Sequence, residues 1–267
     1  MIWNDKNEVL KKVKQDGLDL EYASDELKND KEVVMEAVKQ NGNALQYASD
    51  ELKNDKEIVL EAVKIDVYGN VLYFASDELK NDKEVVLTAV KQNGTALYYA
   101  SFTLKNDKEF MLEVVKNDGY ALGDASDELK NDKEFILEIV KIDGDALYYA
   151  SNKLKNNKEI VLEAVKQNGR ALRYASDELK NDKNFVLEVI NSNLNAFKYI
   201  DKSLQKDPVI IETSINKLKE YEYSKSVDLE NLKQYPEELL NLIESKDFKK
   251  EPLIINNENE HKVEFGE

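Results

Sequence analysis

The tripeptide Asn-Asp-Lys recurs along this chain at a nearly constant interval. It begins at Asn4, Asn29, Asn54, Asn81, Asn106, Asn131 and Asn181, and Asn-Asn-Lys takes its place at Asn156. Every step is 25 residues except one of 27 residues, between Asn54 and Asn81. A fixed period of this length is typical of stacked supersecondary units, in which each repeat contacts its neighbours along the stack.

Residues 30–54 show what one repeat contains. Asp30 is suited to cap a helix, because its carboxylate can accept hydrogen bonds from the first-turn amides. Lys31–Gln40 carries two apolar stripes at helical spacing. Gly42 then predicts a left-handed residue that ends this helix. A second, shorter helix is predicted to carry Ala44, Leu45, Ala48 and Leu52, so that each repeat is a helical hairpin whose stripes need neighbours on both sides.

The predicted fold is all-α: an α-solenoid of eight to nine helical hairpins of 25 residues with a helical C-terminal cap. We expect the array over residues 1–206 and the cap over 207–255, with a helix that begins at Asp207-Pro208. Residues 256–267 are polar and predicted to form a flexible acidic tail.

The first repeat departs from the others on one helix face. Glu8 and Lys12 stand where the next repeat has the apolar residues Val33 and Ala37. We expect this stripe to face the preceding repeat, and a polar version of it is what the terminal unit of an array needs. The sequence therefore predicts that repeat 1 is an N-terminal cap.

Charge and composition exclude several classes of function. The formal net charge is −16, which disfavours direct binding to nucleic acid or to an anionic membrane and favours a protein partner with a basic surface. There is no cysteine, and the one histidine is His261 in the polar tail. We therefore expect no metal site, no cofactor, no catalytic residues and no enzymatic activity.

Targeting signals are not evident in the sequence. The first five residues, Met1 to Asp5, lack the apolar stretch of a signal peptide, and the sequence has no apolar run of about 18 residues that could span a membrane. We therefore expect a cytoplasmic protein, and we expect it to be a monomer.

The repeat has a recognisable consensus, Asp-Lys-Glu-x-Val-Leu-Glu-Ala-Val-Lys-x-Asn-Gly-x-Ala-Leu-x-Tyr-Ala-Ser. It resembles a family of short tandem repeats, found in bacteria, protists and large DNA viruses, that is catalogued as a domain of unknown function. Gln40-Asn41-Gly42 through Ala48-Ser49 matches that pattern closely, and the resemblance covers roughly residues 4–206. It implies an all-helical array and supplies no catalytic residue.

Two positions of the repeat vary most between its copies, and we call each set of equivalent residues a column. Constant positions maintain the fold, so these two variable columns predict where a partner binds. One column follows the glycine and the other lies three residues later, so both share one helix face. Tyrosine and arginine, which are enriched in binding hot spots, concentrate there in repeats 3–7. The predicted partner-binding residues are Tyr73, Tyr98, Phe102, Tyr120, Tyr148, Arg170 and Arg173. The alternative is drift between duplicated repeats, with these tyrosines merely packing along the helix surface.

A second candidate surface is an edge of Asp-Glu pairs at repeat spacing, which we call the acidic edge. Its predicted members are Asp50, Glu51, Asp77, Glu78, Asp127, Glu128, Asp177 and Glu178. The same pairs could be proposed as catalytic dyads, but identical pairs in successive repeats favour a solvated acidic surface.

These surfaces lead to two functional hypotheses. The first is a non-enzymatic protein–protein interaction scaffold that binds a macromolecular partner along one face of the solenoid. The alternative is an acidic inhibitor that mimics nucleic acid and blocks a nuclease or a nucleic-acid-guided complex, as in conflict between phage and host. The sequence does not decide which surface binds or who the partner is.

Overall fold

The computed structural model describes residues 2–224, and side chains as far as residue 218. Eight repeats stack in chain order, over residues 5–29, 30–54, 55–81, 82–106, 107–131, 132–156, 157–181 and 182–206. Each repeat holds a long α-helix, a 3-10 helix and a single short turn of helix. The described residues contain no β-strand, and the all-α solenoid predicted from the sequence is confirmed.

The three helical segments recur with similar bounds in every repeat. The long helices span Lys6–Val13, Lys31–Gln40, Lys56–Lys64, Lys83–Gln92, Lys108–Asn117, Lys133–Val140, Lys158–Gln167 and Lys183–Ser192. The 3-10 helices span Gly17–Tyr22, Gly42–Tyr47, Val71–Phe74, Gly94–Tyr99, Gly119–Asp124, Gly144–Tyr149, Gly169–Tyr174 and Leu194–Tyr199. The short turns span Asp25–Lys28, Asp50–Lys53, Leu79–Asn81, Phe102–Lys105, Asp127–Lys130, Asn152–Lys155, Asp177–Lys180 and Leu204–Lys206.

The long helix begins where the sequence predicts it. The Asp30 carboxylate accepts hydrogen bonds from the amides of Glu32 and Val33, at 3.0 and 3.2 Å. The helix ends at Gln40, and Asn41 is extended. Local capping chemistry therefore sets the start of this helix.

The predicted second helix is two helices. Gly42–Tyr47 is a 3-10 helix, and Ala48 interrupts it with an extended backbone (φ −65°, ψ 157°). Ser49 then caps the short turn Asp50–Lys53 by accepting a hydrogen bond from the amide of Leu52. The interruption lets the chain change direction, so each repeat is a three-segment unit rather than a simple hairpin.

The glycine prediction was wrong for most repeats. Among the described residues, Gly69 is the one glycine with a positive φ, at 74°. Gly42 instead starts the 3-10 helix, and a Cβ on it would stand 2.4 Å from the backbone oxygen of Ala62 in the next repeat. The small residue is needed because two repeats approach closely, and this contact is invisible in one repeat alone.

Both apolar stripes of the long helix are buried. Val33, Val34, Ala37 and Val38 have no exposed surface. A Cβ on Gly17 of repeat 1 would stand 2.3 Å from the backbone oxygen of Ala37, so this part of the helix faces the preceding repeat, as predicted.

The polar equivalents in repeat 1 lie at the free end of the stack. Glu8 is exposed, and Lys12 is half-buried, with its ammonium 4.5 Å from the centre of the Trp3 ring. Trp3 also exchanges backbone hydrogen bonds with Tyr22 and Ser24, at 2.8 and 2.9 Å. The residues before the first long helix therefore help to cover this end.

A ladder of ion pairs joins consecutive repeats. The first lysine of each long helix contacts the aspartate that caps the next long helix. The pairs are Lys6–Asp30, Lys31–Asp55, Lys56–Asp82, Lys83–Asp107, Lys108–Asp132, Lys158–Asp182 and Lys183–Asp207, at 2.6–3.3 Å. At the remaining junction, Asn157 replaces the aspartate and Lys133 pairs with Glu159 at 2.6 Å.

A second ladder runs beside the short turns. The amide of Ser49 donates to the carbonyl oxygen of Lys28 at 3.0 Å, and its hydroxyl donates to the side-chain oxygen of Asn29. The serine hydroxyl contact recurs at Ser76, Ser101, Ser126, Ser151 and Ser176. These contacts fix the register between repeats at a position that the consensus sequence holds constant.

The insertion in repeat 3 forms an ordered loop. Asp66 is buried, and its carboxylate accepts hydrogen bonds from the amides of Tyr68, Gly69 and Val71, at 2.7–3.1 Å. Val67 and Tyr68 are left exposed on the surface. The two extra residues therefore change one edge of the array without disturbing the stack.

A ninth long helix, Pro208–Ser224, follows the eighth repeat and begins at the predicted proline. Asp207 caps it by accepting from the amides of Val209 and Ile210. The rest of the cap predicted over 207–255, and the tail predicted over 256–267, lie outside the described residues. Within the part of the chain that is described, no helix is long and apolar enough to cross a membrane.

Candidate partner-binding site

The two variable columns lie on the 3-10 helices, which gives them a stricter alignment than an α-helix would. Residues three apart in a 3-10 helix stand one directly above the other. Arg170 and Arg173 are such a pair, and so are Asp145 and Tyr148 of the preceding repeat. The 3-10 helices of adjacent repeats contact each other, so the pairs line up as a strip along the solenoid.

All seven predicted partner-binding residues lie at the surface. Tyr120 is the most open, with 80% of its area exposed, and Tyr148 is 54% exposed. Both arginines are exposed as well. The others are Tyr73, Tyr98 and Phe102, at 59–69% exposed.

Four of the seven line one groove of about 580 Å³ that crosses repeats 5, 6 and 7. They are Tyr120, Tyr148, Arg170 and Arg173. We call this space the central groove. Its volume falls within the range of about 300–1,000 Å³ that is common for ligand sites. Tyr73, Tyr98 and Phe102 lie outside it.

One tyrosine of the variable columns is missing next to the groove. Gly123 holds the position that carries Tyr98 in the repeat before and Tyr148 in the repeat after. A Cβ on Gly123 would stand 3.0 Å from Cε1 of Tyr149, so Gly123 lies close to a ring that lines the groove. The sequence marks Gly123-Asp124 as a departure from the pattern, and the structure places the gap beside the groove.

Two further tyrosines, Tyr149 and Tyr174, line the central groove beside Tyr120 and Tyr148. The sequence did not predict them as partner-binding residues. Tyr148 contacts both edge-on, with ring centres 4.8 and 5.3 Å apart. Burial raises the pKa of the Tyr149 hydroxyl, and the nearby Tyr148 and Tyr120 act in the same direction. They were missed because their column is partly buried and pattern analysis assigns it to the core.

The groove also contains charges of both signs. Asp118, Asp143 and Asp145 line it beside repeats 5 and 6, and the two arginines line it at repeat 7. The guanidinium carbon of Arg173 lies 4.8 Å from the centre of the Tyr174 ring, and this contact holds the Arg173 side chain against that ring.

A smaller groove of about 470 Å³ lies at repeats 2 and 3, where the two predicted surfaces meet. Tyr73 lines it together with Asp50 and Asp77 of the acidic edge and with Lys53 and Lys80. The ammonium of Lys80 lies 5.6 Å from the centre of the Tyr73 ring. The tyrosine strip and the acidic edge are therefore neighbours in this part of the array.

The acidic edge is exposed, but it is interrupted. Asp50, Asp77 and Asp177 have fully exposed side chains. Phe102 and Asn152 take the aspartate position in repeats 4 and 6 and break the series. Asp127 and Glu128 are exposed between these breaks.

Several glutamates of this edge also join repeats. Glu51 accepts a hydrogen bond from the side-chain amide of Asn29 in the preceding repeat at 3.2 Å. Glu78 and Glu178 accept from Asn54 and Asn156 in the same way, at 2.6 and 2.9 Å. These carboxylates therefore have a structural role in addition to their charge.

The repeats of this chain match a known protein family. The model of the family described as "Domain of unknown function (DUF4116)" matches residues 5–53, 34–68, 55–105, 107–155 and 157–205. The chain belongs to the DUF4116 family. Four of the five matches each cover two consecutive 25-residue repeats, so the DUF4116 unit corresponds to a pair. No curated protein and no solved structure matches the chain.

Lysines of this DUF4116 array contact the rings of exposed tyrosines. The ammonium groups of Lys105 and Lys155 lie 5.4 and 5.6 Å from the ring centres of Tyr98 and Tyr148. Burial lowers the pKa of both lysines. Cation–π contacts of this kind restrict the rings and reduce the entropy that binding must remove.

The Asp143-Gly144-Asp145 segment is the part of the sequence that most resembles a calcium-binding loop. Asp143 accepts a hydrogen bond from the amide of Asp145 at 2.9 Å and so caps the 3-10 helix that starts at Gly144. Among the described residues, no three acidic, histidine or cysteine side chains are grouped so that they could hold a metal ion. Like Gly42, Gly144 therefore starts a 3-10 helix instead of ending the helix before it.

Proposed function

We propose that this chain is a non-enzymatic protein–protein interaction scaffold that binds its partner through the central groove. The observation that carries the proposal is the gathering of Tyr120, Tyr148, Arg170 and Arg173 in one concave space. These residues come from three different repeats and from the two columns that vary most along the chain. Drift between duplicated repeats does not by itself bring hot-spot residue types together around a cavity.

The physical basis of binding is a set of rigid aromatic surfaces with charged groups beside them. Tyrosine offers a large contact area at low conformational cost, and the ring contacts to Tyr149 and Tyr174 restrict Tyr148 further. The net charge of −16 favours encounter with a basic protein surface, while the groove supplies short-range contacts.

The acidic edge supports the alternative, a nucleic-acid mimic, less well. Double-stranded DNA carries one charge per about 1.7 Å, whereas the edge offers one Asp-Glu pair per repeat and none at Phe102 or Asn152. Several of its glutamates are also engaged by asparagines of the preceding repeat. The mimic hypothesis stays a prediction, and the salt dependence of binding tests it.

The test is affinity capture from a lysate of cells that express the protein, with quantitative mass spectrometry. The groove variant is Tyr120→Ala, Tyr148→Ala, Arg173→Glu, and the matched control is Tyr68→Ala, which removes an equally exposed tyrosine outside the groove. We expect a protein that wild type and control both capture and that the groove variant loses. Purified partner should then bind the groove variant about 100-fold more weakly, as loss of hot-spot residues requires. Equal capture by all three forms would overturn the proposal.

A further inference from the structure

The variable columns of three successive 3-10 helices form a small grid at the central groove. Repeat 5 contributes Tyr120, with no side chain at the other position because it is a glycine. Repeat 6 contributes Asp145 and Tyr148, and repeat 7 contributes Arg170 and Arg173. The charge along the solenoid axis therefore changes sign within one repeat, from carboxylate to guanidinium.

The carboxylate and guanidinium groups at the two ends of this grid do not form ion pairs with one another. Neither arginine forms an ion pair with a carboxylate among the side chains that the structure describes. The Oδ2 of Asp145 accepts a hydrogen bond from Asn168 at 2.9 Å, but its Oδ1 is shielded from solvent and has no donor. Arg170 and Arg173 are also the only arginines in the sequence, where every other cationic side chain except His261 is lysine.

The guanidinium pair is chemically suited to an oxyanion. A guanidinium is planar and donates two parallel hydrogen bonds to one carboxylate, which an ammonium cannot do. Arg173 is already positioned by stacking on Tyr174. The repeat 7 end of the groove therefore fits a carboxylate of a partner.

The opposite end fits a cation. Asp118, Asp143 and Asp145 supply carboxylates there, and Tyr120 and Tyr149 supply ring faces. Carboxylates next to aromatic rings favour a lysine or arginine side chain through charge and cation–π attraction.

We infer that the central groove binds an extended segment of the partner in which a basic and an acidic side chain lie about three residues apart. Neighbouring helices in packed proteins are about 8–10 Å apart, and a chain in the extended polyproline II conformation advances about 3.1 Å per residue and has every third side chain on one face. Three residues therefore span one repeat, which is the separation of Asp145 and Arg170, the equivalent residues of adjacent repeats. The basic side chain lies over repeats 5 and 6, the acidic one over repeat 7, and the residues between them against Tyr148. The inference rests on the proposed function and names the chemistry of the same site.

Fluorescently labelled peptides with blocked ends test this inference on the full-length protein. Each peptide carries one lysine and one glutamate in a neutral background, in either order, at spacings from about one to about five positions. Binding is measured by anisotropy at about 50 mM salt, where the Debye length exceeds about 10 Å. We expect the tightest binding at a spacing of about three, at least about fivefold tighter than at one or five.

A charge-reversed variant separates recognition from stability. Arg170→Glu, Arg173→Glu replaces two exposed side chains, and its fold is checked by circular dichroism. We expect its preference to change from lysine–glutamate to lysine–lysine peptides, which a loss of structure cannot produce. The absence of binding, of a spacing optimum or of this change in preference would overturn the inference. If the groove variant nevertheless loses its captured partner in the lysate, the scaffold proposal stands and only the peptide chemistry fails.

Discussion

The ammonium nitrogen of Lys158 lies 2.6 Å from Oδ2 of Asp182, the residue that caps the long helix of the next repeat. The Oδ1 of the same carboxylate accepts a hydrogen bond from the amide of Phe185 at 3.1 Å. One ionised group therefore both starts a helix and joins two repeats. Equivalent carboxylates occur at six other junctions, which makes the stability of the array depend on their ionisation.

Acid is expected to unfold the array. The hydrogen bond from Lys158 and those from backbone amides lower the pKa of Asp182 in the folded protein. A lowered folded-state pKa contributes stability above the unfolded-state value, which is about 3.9 for aspartate, and this contribution is lost as the pH falls below it. The urea midpoint should be nearly constant between about pH 7 and 5 and fall steeply below about pH 4.

The junction at Asn157 provides the control, because an asparagine there does not titrate. Asn157→Asp adds a cap carboxylate that can pair with Lys133, so we expect a higher midpoint at neutral pH and a larger loss on acidification. The gain at neutral pH should be small, about 1–2 °C in melting temperature, as for other surface pairs. An equal midpoint at pH 5 and pH 3 would contradict this account of the ladder.

Two glycines at equivalent positions should respond differently to the same substitution. A Cβ on Gly144 would stand 2.3 Å from the backbone oxygen of Ala164, whereas a Cβ on Gly119 would stand 2.9 Å from Oδ2 of Asp143, the end of a movable side chain. Gly144→Ala is expected to destabilise repeats 6 and 7 by about 2–3 kcal/mol, as overpacking does. Gly119→Ala should cost less than about 1 kcal/mol. Urea unfolding of both variants makes the comparison, and equal losses would show that the close approach to Ala164 does not matter.

The polar end of the array is expected to prevent association of one molecule with another. In the variant Glu8→Val, Lys12→Ala, the first long helix gains the apolar stripe that later repeats bury against a neighbour. We expect concentration-dependent end-to-end association, measured by sedimentation velocity. The control Asn7→Ala, Lys11→Ala changes two exposed residues of the same helix and should remain as wild type. If both variants sediment alike, repeat 1 does not act as a cap through these two residues.

Filling the gap at Gly123 is expected to close the central groove. The Gly123→Tyr variant restores the tyrosine found at this position in the neighbouring repeats, so the new side chain should push the Tyr149 ring toward the groove. We expect binding of the captured partner to weaken about tenfold or more, with the melting temperature maintained. Gly123→Ala places only a methyl group there, 3.0 Å from the Tyr149 ring, and should weaken binding less than about threefold. Titration calorimetry compares the two, and equal affinities would contradict a role for the gap.

The helix starts and the buried stripes could be predicted because they depend on local chemistry. Asp30 caps the helix that follows it, and Val33 with Ala37 repeats at helical spacing, so one repeat contains the necessary information. The break of the second helix at Ala48 was not predicted. Ser49 marks it in two ways: it caps the short turn within its own repeat, and its amide and hydroxyl contact the preceding repeat, which one repeat alone does not contain.

The candidate site was predicted in part for a similar reason. The columns of Tyr120, Tyr148, Arg170 and Arg173 are visible as variable positions, and these side chains are exposed. Partner binding at these residues stays a prediction. The sequence treated the strip as continuous from repeat 3 to repeat 7. The groove instead covers repeats 5 to 7, because it is formed by side chains that only the stacking of these repeats brings together.

The sequence by itself determined the period, the helical content, the caps and the separation of constant from variable positions, since each follows from residue type and spacing along the chain. Only the tertiary structure decided why glycine is needed where repeats approach, which carboxylates join neighbours, and which tyrosines share a cavity. Those properties depend on distances of a few ångströms between residues about one period apart, and these distances exist only once the repeats have stacked.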